Sequence, residues 1–215
     1  MNFDRIYEYR FRGIDLKKKQ IIWKEISDFL YHKLNKPEKV LDPAGGMCEF
    51  INSFPAKEKW AIDLNEPFLQ KHADKSVKKI IGNSLEVDIP ENYFELIFVS
   101  NFLEHLNSQQ EVAFFLKRMR QKLCKGGKIV VMGPNFKYTA KNYFDFADHT
   151  VMLTELGLAE HLYGAGFNVS EIIPRFLPLS FRGKLPANKF LARTYLSIPL
   201  LWSVFGKQFL VIAEK

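Results

Sequence analysis

The amino-acid sequence predicts an α/β protein with a doubly wound, mostly parallel sheet and helices on both faces. Between residues 40 and 174, short apolar runs typical of buried strands alternate with segments of helical periodicity. The run at residues 94–100 is almost continuously apolar, as expected of a central parallel strand covered on both faces. A turn of small residues follows the first apolar run, which is typical of a ligand site at the carboxyl end of such a sheet.

Composition indicates one domain with a sizeable core. The 215 residues are 47% hydrophobic and 26% charged, which is ordinary for a soluble globular protein. The first residues are charged and lack the apolar stretch of a signal peptide, so we expect a cytoplasmic location. Cys48 and Cys124 are too few for a disulfide framework and have no metal-ligand spacing. We therefore expect no metal site.

The net charge of +7 is concentrated near the C-terminus. Seven basic residues and one acidic residue lie between Arg175 and the end of the chain, so the rest is nearly balanced. We divide the chain into an N-terminal arm and helix (1–36), a core (37–174), a basic and apolar cover segment (175–207) and a last core strand (208–215).

The N-terminal part combines an arm with a helix. Residues 1–14 are rich in aromatic residues and arginine, without a clear period. From a predicted N-cap at Asp15, Ile22, Ile26 and Leu30 lie on one helical face until Pro37 ends the pattern. We expect this helix to pack on the sheet or over the ligand site.

The first two strands carry the strongest local signal. The run at residues 40–42 ends in Asp42 and opens into the small residues Ala44, Gly45 and Gly46. Residues 59–64 form the second strand, in which Asp63 stands 21 residues after Asp42. Rossmann-like folds hold a carboxylate near this spacing for ribose hydroxyls, so the pair indicates a nucleotide-type cofactor.

The later elements continue the alternation. Asn65 and Ser108 are predicted helix N-caps, and Gly126-Gly127 is expected to end the second of these helices. Residues 133–150 are aromatic and irregular, which is often a sign of function in a compact domain. The remaining predicted elements are strands at 77–81, 128–132, 167–174 and 208–213 and a helix at 154–164.

The turn after the first strand is similar to a known motif. Residues 40–51 resemble motif I of the class I S-adenosylmethionine-dependent methyltransferases, usually written V-L-D-x-G-x-G-x-G-x-F. Asp42, Gly46 and Phe50 match it, whereas Ala44 and Cys48 replace its first and third glycines. Residues 92–106 resemble the family's "FD-strand-N-x-L-E-H-L" segment and residues 123–128 its "L-x-P-G-G" turn.

This resemblance covers residues 39–167 and implies more than the pattern alone. It implies a seven-stranded sheet of order 3-2-1-4-5-7-6, with an antiparallel seventh strand, and S-adenosylmethionine as cofactor. Cofactor contacts are implied at Asp42, Ala44, Gly45, Gly46, Asp63, Leu64, Asn83, Ser84, Ser100 and Asn101. We expect Cys48 to be tolerated at its glycine position, because cysteine behaves as a small hydrophobic residue.

Two histidines are candidate catalytic residues, because a general base assists methyl transfer to a hydroxyl. His105 follows the fourth strand among apolar neighbours, and His149 lies in the loop after the fifth strand. His149 is preferred because it follows Asp148 in a polar, aromatic loop, and a carboxylate can orient an imidazole. A hydrogen bond that only fixes the loop is the alternative.

The methyl acceptor is the least defined part. Three features together look more like bacterial methyltransferases of glycan or small-metabolite pathways: the N-x-L-E-H-L segment, the Asp-His-Thr run at 148–150 and the basic, apolar C-terminal segment. We therefore expect a small-molecule or glycan acceptor, methylated at a hydroxyl. A nucleic-acid methyltransferase and a non-catalytic binding protein are the alternatives. Within the segment 175–207, the apolar part 190–205 is interrupted by Arg193 and Pro199 and is too short to cross a bilayer. We expect the segment either to cover the protein's own sheet or to rest on a membrane surface through Arg182, Lys184, Lys189 and Arg193. The sequence does not define an oligomeric state.

Overall fold

Seven strands form one sheet of order β3-β2-β1-β4-β5-β7-β6 in the computed structural model, which describes residues 5, 6, 9, 15–179 and 188–215. The predicted fold class and strand order are confirmed. The strands are β1 (Lys39–Asp42), β2 (Glu58–Asp63), β3 (Val77–Ile81), β4 (Phe94–Ser100), β5 (Leu123–Pro134), β6 (Asn168–Leu177) and β7 (Gln208–Glu214).

The first five strands run parallel, and β7 runs antiparallel between β5 and β6. Leu41 pairs with Ile97 of β4 on one side and with Trp60 of β2 on the other. On the far side of β5, Val130 pairs with Ile212 in antiparallel register. The carboxyl ends of β1 to β5 therefore meet at one edge of the sheet, where ligands bind in open α/β folds.

Helices cover both faces of the sheet. Their bounds are α1 (Leu16–Lys33), α2 (Glu49–Ser53), α3 (Glu66–His72), α4 (Gln109–Lys122), α5 (Phe136–Thr139), α6 (Glu155–Gly164), α7 (Lys189–Ser197) and α8 (Pro199–Phe205), with short 3-10 turns at Leu103–His105 and Tyr143–Asp145. The predicted caps are present, since Asp15, Asn65 and Ser108 each accept a backbone N–H with the side-chain oxygen. Thr154, which the sequence placed inside the helix 154–164, is its N-cap in the structure.

Strand β4 explains the two-layered core. Ile97 and Val99 face the cluster formed with α4 and α6, whereas Leu96 and Phe98 face the cluster formed with α1 and α2. Because successive side chains of a strand point to opposite faces, a run that is buried on both sides must be apolar throughout.

Helices α7 and α8 lie in the predicted cover segment and are tied to the rest of the chain. Arg193 Nε lies 2.5 Å from the buried carboxylate of Glu25 on α1, and Lys189 Nζ lies 3.8 Å from it. Two of the basic side chains predicted for a membrane surface therefore have a structural partner. Arg182 and Lys184, the other two, lie outside the described residues, as does most of the arm 1–14. Membrane-surface contact stays a prediction. None of the described helices is long and apolar enough to span a bilayer.

The glycine pair Gly126-Gly127 does not end a helix, as the sequence had suggested. Helix α4 ends at Lys122, and both glycines lie within β5. A Cβ on Gly127 would come within 2.9 Å of the Phe94 carbonyl oxygen, so this glycine permits close approach of β4 where the register shifts.

Candidate functional site

A cleft of about 680 Å³ opens at the carboxyl ends of the parallel strands. The loops after β1 to β5 line it, together with the first half of α1. All twelve site residues that the sequence suggested lie around this one cleft: Asp42, Ala44, Gly45, Gly46, Asp63, Leu64, Asn83, Ser84, Ser100, Asn101, His105 and His149. Their individual roles stay predictions.

The turn after β1 is held by backbone hydrogen bonds to β2. Gly45 donates its N–H to the Ile62 carbonyl oxygen at 2.9 Å, and Gly46 donates to Asp63 Oδ2 at 2.8 Å. Gly46 has φ +51°, a conformation that favours glycine. Ala44 has no positive φ, so replacing the motif's first glycine costs no backbone strain. The turn keeps its shape despite that substitution.

Asp63 connects the turn to the next helix. One carboxylate oxygen accepts the Gly46 N–H and the other accepts the N–H of Asn65, the N-cap of α3, at 2.8 Å. Burial raises the pKa of Asp63 above its ordinary value. The backbone N–H of Leu64 also stabilises the carboxylate, which still has an acceptor site for a ligand hydroxyl.

Asp42 is the more deeply buried of the two acids. It is 5% exposed, and its Oδ1 accepts the Ala44 N–H at 3.2 Å. Burial raises the pKa of Asp42 to about 7, and the nearby charges of Asp63 and Glu49 add to the shift. A cation in the cleft would therefore stabilise the ionised form of the Asp42 carboxyl.

Cys48 stands at the N-cap of α2 with φ 58°, in the left-handed region. Its side chain is fully buried in the core cluster of α1 and α2 and does not line the cleft. Burial raises the pKa of the thiol, so it stays protonated. Replacing the motif's third glycine thus strains the backbone without obstructing the cleft.

Helix α1 contributes two residues that sequence reasoning missed. Lys19 lines the cleft and forms an ion pair with Glu49, 2.5 Å from its Oε1. Trp23 also lines it, and its buried indole N–H has no hydrogen-bond partner among the described residues. A buried unpaired donor is costly, so this N–H is suited to a ligand acceptor.

The end of the cleft near β3 is shaped by Leu64 and Asn83. Leu64 is 71% exposed and offers an apolar face next to Asp63. Asn83 uses its side-chain oxygen to accept the Leu85 N–H at 3.0 Å, which fixes the turn and leaves one lone pair. The buried Ser84 follows it.

Ser100 and Asn101 end β4 in the middle of the edge. Asn101 has φ 49°, a conformation that asparagine tolerates better than most residues, and its N–H donates to the Met132 carbonyl at 2.9 Å. Its amide also donates to the Ser100 hydroxyl at 3.0 Å.

Four polar side chains form a cluster at the end of the cleft near β4 and β5: Glu104, His105, Asp148 and His149. His105 Nδ1 lies 3.0 Å from the Asp148 carbonyl oxygen and 3.4 Å from its Oδ2. The two imidazole rings meet edge to face at 5.0 Å between centroids. Asp148, which precedes His149 in the chain, thus also lies against His105.

His149 lies deeper than His105. Its ring stacks on Phe146 with 4.8 Å between centroids and meets Tyr143 at 4.7 Å. Its loop is joined to the loop after β4, because the Thr150 N–H donates to the Glu104 carbonyl at 2.8 Å. These contacts hold both loops in one arrangement.

The cleft is strongly acidic. Among the described residues that line it, Lys19 is the one lysine or arginine, against the carboxylates of Asp42, Glu49, Asp63, Glu104, Glu111 and Asp148. Gln208 at the start of β7 adds a buried side-chain oxygen with no hydrogen-bond partner among those residues. A cationic ligand complements this charge.

Residues 41–131 match a family model described as "Methyltransferase domain". A demethylmenaquinone methyltransferase of Geobacillus sp. (strain WCH70) is 24% identical over 144 residues, which covers 60% of this chain. The chain spans 60% of the length of that curated relative.

Solved structures share the fold over most of the chain. An S-adenosylmethionine-dependent methyltransferase from Archaeoglobus fulgidus is 19% identical, with a TM-score of 0.70 and full coverage of both chains. One from Mesorhizobium loti is 16% identical, with a TM-score of 0.61, covering 87% of this chain and 98% of that one.

Proposed function

Because the chain belongs to the class I S-adenosylmethionine-dependent methyltransferases, we propose that it transfers the cofactor's methyl group to a hydroxyl of a small-molecule acceptor. The observation that carries the proposal is the acidic cleft, in which Asp63 fixes the turn at Gly46 and the histidines lie at the β4 and β5 end. The strand order supports this proposal. The loops that follow β3, β2, β1, β4 and β5 lie side by side at the carboxyl edge of the sheet, so a cofactor and an acceptor can share one cleft.

The residues present fit this cofactor. The turn at Gly46 leaves open space, because a Cβ there would meet nothing closer than 4.0 Å. The Trp23 N–H and the Lys19 ammonium can hold a carboxylate, and the acids of the cleft complement a sulfonium and an ammonium group. Asp63 can accept from ribose hydroxyls, while Leu64 offers an apolar face to the base.

When bound, S-adenosylmethionine supplies an electrophilic methyl group: the acceptor oxygen bonds to the methyl carbon as the sulfur–carbon bond breaks, and its electron pair stays on sulfur. The chain's contribution is to hold the acceptor oxygen in line and to remove its proton. Asp148 orients His105 through Nδ1, so Nε2 is the nitrogen available for the hydroxyl proton. His149, preferred from the sequence, is enclosed by aromatic rings, and geometry favours His105 as the base.

The charge of the cleft supports a small acceptor over nucleic acid. Nucleic-acid enzymes neutralise phosphates with lysine and arginine beside the site. The described lining has one such side chain, and it is paired with Glu49. The Geobacillus relative is named for demethylmenaquinone, a small molecule, which supports the same acceptor class. A glycan acceptor stays a prediction.

The test uses methyl-labelled S-adenosylmethionine and a panel of phenols, quinones and sugars, with label in the acceptor as readout. Once an acceptor is found, His105→Ala should lower kcat by about 100-fold or more and leave cofactor affinity within about threefold. His149→Ala should have the smaller effect. If His149→Ala loses more of kcat than His105→Ala, His149 is the base, as the sequence suggested. If both variants turn over as fast as the parent, neither histidine acts as a base. No transfer to any acceptor by a protein that binds the cofactor would favour a non-catalytic role.

A further inference from the structure

We propose that Glu104, His105 and His149 bind a divalent transition-metal ion at the acceptor end of the cleft. Only the role of the ion in the reaction rests on the proposed function. The binding of the ion is tested by separate measurements. The three residues come from two loops, and 44 positions separate His105 from His149 in the sequence. No spacing motif marks them, which is why the sequence predicted no metal site.

The three side chains present ligand atoms in one small volume. One carboxylate oxygen of Glu104 and one ring nitrogen of each histidine all lie within 4.8 Å of one another. Ligand atoms at about 2.1 Å from a tetrahedral ion are roughly 3.4 Å apart, so binding requires side-chain movements of about 1 Å. Rotations about the side-chain bonds supply movements of that size.

Asp148 contacts His105 as carboxylates commonly contact metal-binding histidines. Its carboxylate and carbonyl oxygens face Nδ1 of His105 at 3.4 and 3.0 Å, which directs Nε2 away from them. Histidines that bind metals commonly donate their other ring N–H to a carboxylate or a carbonyl in this way. The loop contacts between Thr150 and Glu104 further fix the two loops against each other.

Charge and ligand type define the ion. Glu104 and Asp148 are 3% and 7% exposed, so two carboxylates are buried beside the imidazoles. Two imidazoles and one carboxylate suit ions such as Zn²⁺ or Co²⁺, whereas Mg²⁺ prefers oxygen ligands. Three protein ligands leave coordination positions open for an acceptor oxygen.

The ion would serve the proposed reaction by binding the acceptor hydroxyl. A metal-bound hydroxyl is a stronger acid, so its proton can leave to water while the oxygen keeps the electron pair for the methyl group. In the metal-loaded protein, His105 Nε2 then holds the ion rather than the proton. Without the ion, His105 alone acts as the base, as proposed above.

Binding is tested on the untagged, full-length protein after removal of metals, because a polyhistidine tag binds the same ions. Calorimetry with ZnCl₂ should show one site per chain, and CoCl₂ should give visible absorption bands of a nitrogen-ligated ion. His105→Ala and His149→Ala should each weaken Zn²⁺ binding by at least tenfold, and Asp148→Asn by about tenfold. His32→Ala is the matched control, because His32 is exposed on α1, outside the cleft, and its loss should leave affinity unchanged.

The outcomes separate this proposal from the function. If the metal-free parent protein binds neither Zn²⁺ nor Co²⁺ in these titrations, the metal site is overturned, while methyl transfer in EDTA would leave the proposed function standing. Equal weakening in His32→Ala and the cluster variants also overturns it, since binding would then be nonspecific. One-to-one binding that depends on the cluster supports the site, even where no methyl acceptor has been found. If an alanine variant does not fold, the comparison of the parent with Asp148→Asn decides.

Discussion

Asp42 should make cofactor affinity depend on pH. Burial raises the pKa of its carboxyl to about 7 in the ligand-free protein, so near pH 6 most molecules hold a neutral Asp42. A cation bound in the cleft favours the ionised form and lowers this pKa, and protonation therefore opposes binding. Affinity for S-adenosylmethionine should be lost as the pH falls through 7, and it should level off above 8.

The magnitude follows from the size of the shift. If the bound cofactor lowers the pKa of Asp42 well below 6, the dissociation constant should be about tenfold higher at pH 6 than at pH 8, because the pKa of about 7 leaves about nine tenths of the ligand-free molecules neutral at pH 6. Binding should then release about 0.9 proton at pH 6 and about 0.1 at pH 8, by the same linkage.

Calorimetry in two buffers of different ionisation enthalpy measures both quantities. Asp42→Asn is the control, since it keeps the side-chain shape and leaves the titrations of the histidines and of the cofactor in place. The variant should lose most of the pH dependence. A parent profile that is flat between pH 6 and 8, or one that Asp42→Asn reproduces, would refute the reasoning.

Two further changes test the packing around the site. Cys48→Gly should change cofactor affinity by less than about threefold, because the thiol does not line the cleft. It should change the free energy of unfolding by about 1 kcal/mol or less, because relief of the left-handed backbone offsets the lost burial of the side chain. A tenfold gain in cofactor affinity would mean that the thiol obstructs the cleft. Arg193→Ala should lower the free energy of unfolding by about 1 to 3 kcal/mol in urea titrations. The buried carboxylate of Glu25 would then keep, among the described residues, a single ion-pair partner, Lys189 at 3.8 Å. Lys24→Ala, which removes an exposed pair on the same helix, should cost about 0.5 kcal/mol or less, and equal losses in the two variants would contradict the role given to Arg193.

The local features of the fold could be predicted from the sequence. The apolar run of β4, the caps at Asn65 and Ser108, and the small turn before Gly46 each reflect a short-range rule, and the structure contains all of them. The strand order needed the resemblance to a family, because alternation alone does not specify how strands are ordered.

Contacts between distant segments could not be predicted in the same way. Trp23 and Lys19 have the pattern of an ordinary amphipathic helix, and only the packing of α1 on the sheet brings them to the cleft. Asp148 precedes His149 in the chain, yet its carboxylate lies against His105, because neighbouring side chains in an irregular loop point in different directions. Gly126-Gly127 looks like a helix stop because a close strand contact and a helix end both favour glycine.

The most direct test of the account is calorimetric binding of S-adenosylmethionine to the parent protein and to Asp63→Ala, with Asp88→Ala as the control at an exposed acid outside the cleft. Asp63 holds the turn through Gly46 and can accept a hydrogen bond from a ribose hydroxyl, and a hydrogen bond to a charged group is worth about 1.5 to 3 kcal/mol. The account predicts one site per chain in the parent, at least tenfold weaker binding in Asp63→Ala, and unchanged binding in Asp88→Ala. Absence of binding by the parent, or parental affinity in a folded Asp63→Ala variant, would contradict it.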